Sequence, residues 1–334
     1  MREPAFWWRP GTGSLLAPAA ALYGAVARRR LQGRGSGVGV PVICLGNLTI
    51  GGGGKTPAAL ALGDLLAGAK ARPFFLSRGY GGRLRGPVRV EPSLHSAADV
   101  GDEPLLLARL APTIVARERL AGAKAARAAG AGVVIMDDGF QNPSLTKDLS
   151  ILVVDGRRGI GNGHVIPAGP LRAPLDSQLA RAQALIVIGP ANGAAAAPVA
   201  EAARRHGLAL FYGRLEPDRD ALAAIGRRRV LAFAGIADPE KFYATLEAAG
   251  VTIAARLSFH DHHCYTAAEA ARLIEAASAA DLLLLTTEKD HVRLGGDPEL
   301  APLATQAKTL PVRLVVEPAA AFERLVLDVA KRPS

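Results

Sequence analysis

Residues 49–56 read Thr49-Ile50-Gly51-Gly52-Gly53-Gly54-Lys55-Thr56, with a short apolar run before them and Pro57 and an Ala/Leu-rich stretch after. Consecutive glycines let a backbone turn tightly enough for successive N–H groups to converge on phosphate oxygens. A helix that starts there adds the positive end of its dipole. In such a loop Lys55 reaches the β- and γ-phosphates of a nucleotide and the Thr56 hydroxyl ligates Mg²⁺. Thr49 stands where the usual pattern has glycine, and a flexible turn with a solvated lysine is the plainer alternative. The order strand, glycine loop, Gly-Lys-Thr, helix favours phosphate binding.

Three further clusters carry acids and bases. Asp137-Asp138-Gly139-Phe140-Gln141 ends an apolar run at 133–136. Carboxylates at the tip of a buried strand face the crevice where α/β folds bind ligands, so Asp137 or Asp138 is the expected metal-side acid; an Asp-Gly turn is the alternative. Gly101-Asp102-Glu103-Pro104 puts two acids at a helix start, where Asp also serves as a plain cap. Phe259-His260-Asp261-His262-His263 combines imidazoles with a carboxylate, the usual means of orienting a general base. A polar loop or a zinc site with Cys264 is the competing reading, although zinc needs further ligands at suitable spacing. Arg78-Gly79-Tyr80-Gly81-Gly82-Arg83 and the Gly/Pro-rich loop 161–172 read as site loops, with Arg78, Asn162 and Arg172 as substrate-side contacts; a solvated surface loop is the alternative for each. Thr286-Thr287-Glu288-Lys289-Asp290 ends a run in the second half, either near the nucleotide or as a charged turn.

Positioning these groups falls to a repeating pattern of short apolar runs and Ala-rich helical stretches. Strands are expected at 42–45, 73–76, 113–116, 133–137, 151–155, 185–188 and 209–212, with helices such as 56–69 and 117–129 between them. That alternation implies parallel βαβ units. A second α/β set starts near Arg229, with strands at 230–234, 282–286 and 312–316 and a helix at 239–249. The polar stretch 216–228 is the expected boundary.

Composition narrows the function classes. Across 334 residues, 49% are hydrophobic, 21% charged and 5% aromatic, which excludes disorder and a fibrous array. Two cysteines cannot build a disulfide framework or a four-thiolate zinc site. The net charge of +10 suits anionic lipid or a phosphorylated substrate better than nucleic acid, because aromatics are too scarce for base-stacking platforms. Residues 15–27 are apolar but too short to span a bilayer, which takes roughly 20 residues, and Pro18 interrupts them. Trp7 and Trp8 before this stretch and Arg28, Arg29 and Arg30 after it suit a helix lying at a headgroup boundary; an ordinary packed helix with a basic end is the alternative.

Taken in order, these segments resemble the tetraacyldisaccharide 4'-kinase family. The resemblance rests on Phe6-Trp7-Trp8, Leu22-Tyr23-Gly24, Gly46-Asn47-Leu48-Thr49 with the Gly-Lys-Thr-Pro loop, and Ser77-Arg78-Gly79-Tyr80-Gly81. It continues through Gly101-Asp102-Glu103-Pro104, Asp137-Asp138-Gly139-Phe140-Gln141, Pro167-Ala168-Gly169-Pro170-Leu171-Arg172, Phe259 with Asp261-His262, and Thr287-Glu288-Lys289-Asp290. The family also carries Thr at the first loop position.

The resemblance implies transfer of the ATP γ-phosphate to the 4'-hydroxyl of a tetraacyl glucosamine disaccharide 1-phosphate in lipid A biosynthesis, with Mg²⁺. It implies a P-loop-type α/β/α sandwich (36–220), a second, smaller α/β domain (221–334) and an N-terminal interfacial helix (1–35) on the cytoplasmic face of a bacterial inner membrane. The partners implied are the lipid precursor and an anionic membrane surface, with no nucleic acid and no obligate protein partner. Asp102 and His262 carry over as the catalytic pair, Asp102 handling the acceptor proton with help from His262. Lys55 and Thr56 carry over as phosphate and Mg²⁺ contacts. Two positions depart: Ala173 stands where the family often has Glu, and Asn142 where it often has His. The reading from another class is a membrane-associated P-loop ATPase that acts as a switch and needs no base for a sugar hydroxyl.

Overall fold

The computed structural model describes residues 3–189 and 193–332. Apolar runs without polar alternation become strands buried on both faces, as parallel strands covered by helices on both sides must be. In chain order the first eight strands are β1 (Val42–Asn47), β2 (Pro73–Ser77), β3 (Val88–Arg89), β4 (Thr113–Val115), β5 (Val133–Asp137), β6 (Leu149–Asp155), β7 (Ala184–Ile188) and β8 (Ala209–Pro217), of which β3 and β8 are only partly buried. A second group follows: β9 (Val230–Ala234), β10 (Ile253–Ser258), β11 (Leu283–Thr286) and β12 (Lys308–Thr309), and the last strand is β13 (Val312–Glu317). The larger sheet has nine strands in the order β13-β8-β7-β6-β1-β5-β2-β4-β3, and the smaller has four in the order β10-β9-β11-β12.

Helix Lys55–Gly68 buries Ala58, Ala59, Leu62 and Leu66, a stripe at helical spacing. It lies on the face formed by Ile43, Leu45, Phe75, Val133 and Ile135. A Cβ at Gly63 would stand 2.5 Å from the Phe75 ring, so glycine lets the helix settle directly above β2. The opposite face is covered by Ala123 and Ala126, Leu179, and Val199 and Ala203 from three other helices. In the smaller unit, Phe242, Tyr243 and Leu246 pack on one face, and Leu273, Ala277 and Leu303 on the other. Both units are α/β/α sandwiches, the class expected.

One strand departs from expectation. The sequence pattern places the run 312–316 in the second α/β set, but β13 pairs antiparallel with β8 at the edge of the larger sheet. Leu314 and Val316 point into that core beside Phe322 and Val326, while Arg313 is exposed. The alternation marks a strand with one wet face. The expected C-terminal domain 221–334 therefore returns its last strand and helix Ala319–Ala330 to the first unit. The expected boundary stretch 216–228 holds the end of β8 and the short helix Arg219–Ile225, capped by Asp218, whose carboxylate accepts from Ala221 N–H at 2.8 Å.

Helix Ala17–Leu31 buries only Ala20, Gly24, Ala27 and Leu31, and Gly24 lets it lie close to Pro174 and Val165. Trp7 Nε1 donates to Pro167 O at 3.0 Å. On the outward side Leu15 is 96% exposed, Leu22 72% and Val26 50%. Among the described residues no helix is long and apolar enough to cross a membrane.

Candidate active site

The phosphate loop begins where β1 ends. Gly54 has φ +88°, a left-handed conformation that glycine adopts without strain, and it turns the chain into helix Lys55–Gly68. Asn47 Nδ2 donates to Gly51 O at 3.1 Å and so closes the loop. The Gly/Pro loop buttresses it from behind: Ile50 N–H donates to Pro170 O and Arg172 N–H to Leu48 O, both at 2.9 Å. At the loop's end Lys55 Nζ lies 2.8 Å from Asp138 Oδ1. Thr56 Oγ1 donates to Glu103 Oε1 at 3.3 Å.

Asp137 and Asp138, adjacent at the tip of β5, have different surroundings. Asp138 accepts from Lys55 and from Arg172 Nη1, the latter at 2.7 Å. Burial alone would raise its carboxyl, but those two cations hold it well below the usual carboxylate range. Asp137 is buried, and its Oδ1 has no hydrogen-bond partner among the described residues. Burial, with the Glu103 charge nearby, pushes its carboxyl up to about 7. An orphaned buried carboxylate oxygen beside a phosphate loop is the donor a hard divalent cation takes up, so the residues present fit Mg²⁺.

Across the cleft, Asp102 begins helix Asp102–Ala108 of the first unit, while His262 lies in the loop after β10 of the second. His262 Nδ1 and Asp102 Oδ2 are 3.1 Å apart. The same oxygen accepts from Arg293 Nε at 2.7 Å and from Arg293 Nη2, and Asp102 Oδ1 accepts from Glu103 N–H at 2.8 Å. Burial opposes ionisation of Asp102, but the His262 bond and the Arg293 and Lys289 charges hold its carboxyl far below the ordinary value. The bond to Asp102 raises the His262 imidazole. His262 has φ +55°, a conformation that non-glycine residues keep only when their surroundings impose it. Its N–H donates to Gly235 O at 3.1 Å, and its ring lies 5.1 Å from that of Tyr80. Lys289 Nζ reaches Glu103 Oε1 at 2.6 Å, a second bridge between the units.

Lys55, Thr56, Asp137, Asp138, Asp102 and His262 thus gather around one cleft, with Arg78 exposed at the end of β2. Two expected substrate contacts are otherwise engaged. Asn162 Nδ2 donates to Thr12 O at 3.1 Å and to Ala168 O at 2.8 Å, and its Oδ1 accepts from His164 N–H. Its amide thus ties the N-terminal segment to the Gly/Pro loop. Arg172 spends its guanidinium on Thr49 O and Asp138. Asn142 Oδ1 accepts from Ser144 N–H and Oγ in a local turn, and Ala173 is fully buried. In the zinc alternative, His263 would be a ligand; instead it bonds His260 and Glu269 at 3.0 Å each, and no metal-holding group of three His, Cys, Asp or Glu occurs among the described residues.

The family model described as LpxK, tetraacyldisaccharide-1-P 4'-kinase, matches residues 12–331. The chain belongs to this family. The tetraacyldisaccharide 4'-kinase of Rhodopseudomonas palustris (strain BisB18) is 54% identical, covering 98% of this chain and 96% of that protein. The tetraacyldisaccharide 4'-kinase of Methylobacterium radiotolerans is also 54% identical, over the whole of both chains. Among solved structures, LpxK from Aquifex aeolicus in complex with ATP superposes with a TM-score of 0.71 at 27% identity, covering 95% of this chain and 99% of that one. As a member of this kinase family, the chain is an ATP-binding phosphotransferase. Arg293 is the site residue that sequence reasoning missed. It lies three residues beyond the quoted Thr-Glu-Lys-Asp segment, and its only signal was a cation one helical turn after Asp290.

Proposed function

We propose that this chain transfers the γ-phosphoryl group of ATP to the 4'-hydroxyl of a tetraacyl glucosamine disaccharide 1-phosphate, at the cleft between its two units. The observation that carries this reading is the Asp102–His262 pair facing the Lys55 loop. A nucleotide switch needs no base placed for a sugar hydroxyl, whereas a sugar hydroxyl attacking phosphorus must lose its proton.

The glycine loop 51–54 and Lys55 hold the phosphates and neutralise charge as it spreads over the transferring group. Asp138 and Arg172 keep Lys55 and the loop in register before ATP arrives. Thr56 and Asp137 would hold Mg²⁺, which supplies charge neutralisation on the β- and γ-phosphate oxygens when bound. Arg78, exposed at the end of β2, is a cation available to an anionic acceptor. The acceptor oxygen bonds to phosphorus as its proton passes to the Asp102–His262 pair, and ADP leaves with the electron pair of the broken P–O bond.

The lipid acceptor arrives from a membrane. The outward stripe Leu15, Leu22 and Val26 with Arg28, Arg29 and Arg30 at the helix end suits a peripheral seat on an anionic bilayer, at the cytoplasmic face of the inner membrane. The deciding measurement is transfer of labelled γ-phosphate from ATP to the purified acceptor in detergent micelles. Wild type is expected to yield labelled bisphosphorylated lipid and Lys55→Ala none; ATP hydrolysis without labelled lipid would overturn the reading.

A further inference from the structure

The start of the chain touches the phosphate loop. Gly51 has φ +99°, and a Cβ built there would stand 2.0 Å from Glu3 Oε1. Beside it, a Cβ at Gly52 would stand 3.4 Å from that of Ala237, in the loop 235–238 that follows β9. The glycines that gather phosphate oxygens are thus flanked by a carboxylate from the N-terminal segment and by a loop of the second unit. A carboxylate in that position repels phosphate unless a cation holds it.

That cation is Arg158. Its Nη1 donates to Glu3 Oε2 at 3.0 Å, and its guanidinium lies over the Trp8 ring, 4.9 Å from the centroid. Trp8 Nε1 donates to the same oxygen at 3.1 Å. Burial raises the Glu3 carboxyl, and these two donors offset part of that rise. Arg158 Nη2 lies 3.5 Å from Asp238 Oδ2, which Arg157 Nη2 reaches at 2.5 Å. Asp238 stands at the start of helix Pro239–Ala248, where an aspartate usually caps its own helix. It makes no such bond and turns instead to the two arginines of the first unit. One turn into that helix the link is repeated, since Lys241 Nζ donates to Asp155 Oδ2 at 3.0 Å at the tip of β6. Glu3, Asp238 and Asp155 are therefore matched in charge by Arg158, Arg157 and Lys241.

Resting on ATP binding at this loop, as in the kinase reading above, we propose that Glu3 and Arg158 are positioning residues for the nucleotide. Through Asp238 they clasp the loop 235–238 of the second unit onto the phosphate loop, and the Arg158 pairing keeps the Glu3 charge from opposing the phosphates. The clasp needs a planar fork: Arg158 presents separate nitrogens to Glu3 and to Asp238, which a lysine with its single ammonium cannot do. The N-terminal turn Ala5–Trp8 is then part of the nucleotide site as well as the approach to helix Ala17–Leu31.

The test is the Kd for ATP at pH 8, with kcat for lipid phosphorylation at saturating ATP measured alongside. Arg158→Gln leaves the Glu3 carboxylate without its cation and should weaken ATP binding about tenfold, with kcat nearly unchanged. Adding Glu3→Gln to Arg158→Gln should recover most of that loss, because the opposing charge is gone. Arg158→Lys, which keeps the charge and loses the fork, should weaken binding less. Asp238→Asn separates the clasp from the field of the charges: removing an anion near the phosphates would by itself tighten ATP binding, whereas opening the clasp weakens it. If Arg158→Gln fails to fold, the sign of the Asp238→Asn effect still decides. Unchanged ATP affinity in Arg158→Gln, or tighter binding in Asp238→Asn, overturns the clasp. A loss in Arg158→Gln that Glu3→Gln leaves uncorrected makes Arg158 a direct contact of the nucleotide and overturns the role of Glu3. Wild type that binds ATP without phosphorylating the lipid overturns the acceptor reading and not the clasp; wild type that binds no ATP overturns both.

Discussion

Asp137 and Asp138 are neighbours in sequence and opposites in energetics. Asp138 is stabilised as an anion by Lys55 and Arg172, whereas Asp137 is buried with one oxygen unpaired. A carboxyl raised in the folded chain contributes stability that is full below its unfolded value and is lost as pH rises through the folded one. For Asp137 that window runs from 3.8 to about 7. Without divalent cation, Asp137→Asn is therefore expected to raise the melting temperature by a few degrees at pH 8, with the gain shrinking toward pH 4. Under turnover conditions with Mg²⁺, the same change should lower kcat by about 10²-fold. Thermal unfolding in chelator across pH, together with initial rates, checks both; a variant less stable at pH 8 would mean that Asp137 is satisfied in the fold. The sequence marked Asp137 and Asp138 as chemical without separating them. That difference comes from Lys55 and Arg172, brought in from 83 and 34 residues away or more by the fold, just as Asp102 meets Arg293 across 191 residues.

At the scale of elements, the legible parts were those whose pattern is strong and local. The double-sided strands and the helix after the phosphate loop fall within a residue or two of expectation, because an uninterrupted apolar run or a helical stripe states its own burial. β3 and β12 have two residues each, and β10 is an exposed edge strand, so none leaves a hydrophobic signature. The pattern of β13 identifies a strand but not its sheet, since its partner β8 depends on where the chain goes after β12. Its role makes a distinct prediction. Phe322 is buried beside Phe211, with ring centroids 5.2 Å apart, in the core shared with helix Lys55–Gly68. Phe322→Ala is expected to cost about 3 kcal/mol and to loosen the first unit. Hydrogen exchange followed by mass spectrometry should speed up in β8 and in 55–68 while β9 and β11 keep their protection; equal loss in both sheets would show that the two units unfold together.

At the scale of the whole molecule, the N-terminal helix joins a basic run to exposed apolar side chains. The chain carries +10, and Arg28, Arg29 and Arg30 lie in the last turn of a helix that buries Ala20, Gly24, Ala27 and Leu31 and exposes Leu22, Tyr23 and Val26. A helix needing only core packing would bury most of its large apolar side chains; this one buries Ala20, Gly24, Ala27 and the terminal Leu31 and exposes Leu22 and Val26, as the turn before it exposes Leu15. Transferring a leucine-sized side chain from water is worth roughly 1.5–3 kcal/mol, and each arginine near an anionic leaflet adds about 1 kcal/mol. Replacing Leu15, Leu22 and Val26 together by Gln should therefore weaken binding to phosphatidylethanolamine–phosphatidylglycerol vesicles by about 10²-fold or more. Affinity for ATP should stay unchanged, because these side chains are exposed and belong to no part of the phosphate loop. Arg28, Arg29 and Arg30 changed to Gln should instead remove the salt dependence of binding, since a surface charge interaction fades as the screening length falls to about 8 Å at physiological ionic strength. The two variants separate the apolar from the electrostatic contribution. Vesicle binding unaffected by the apolar triple variant would move the stripe from a lipid seat to a surface for another macromolecule, and would leave the phosphate-transfer cleft as it stands.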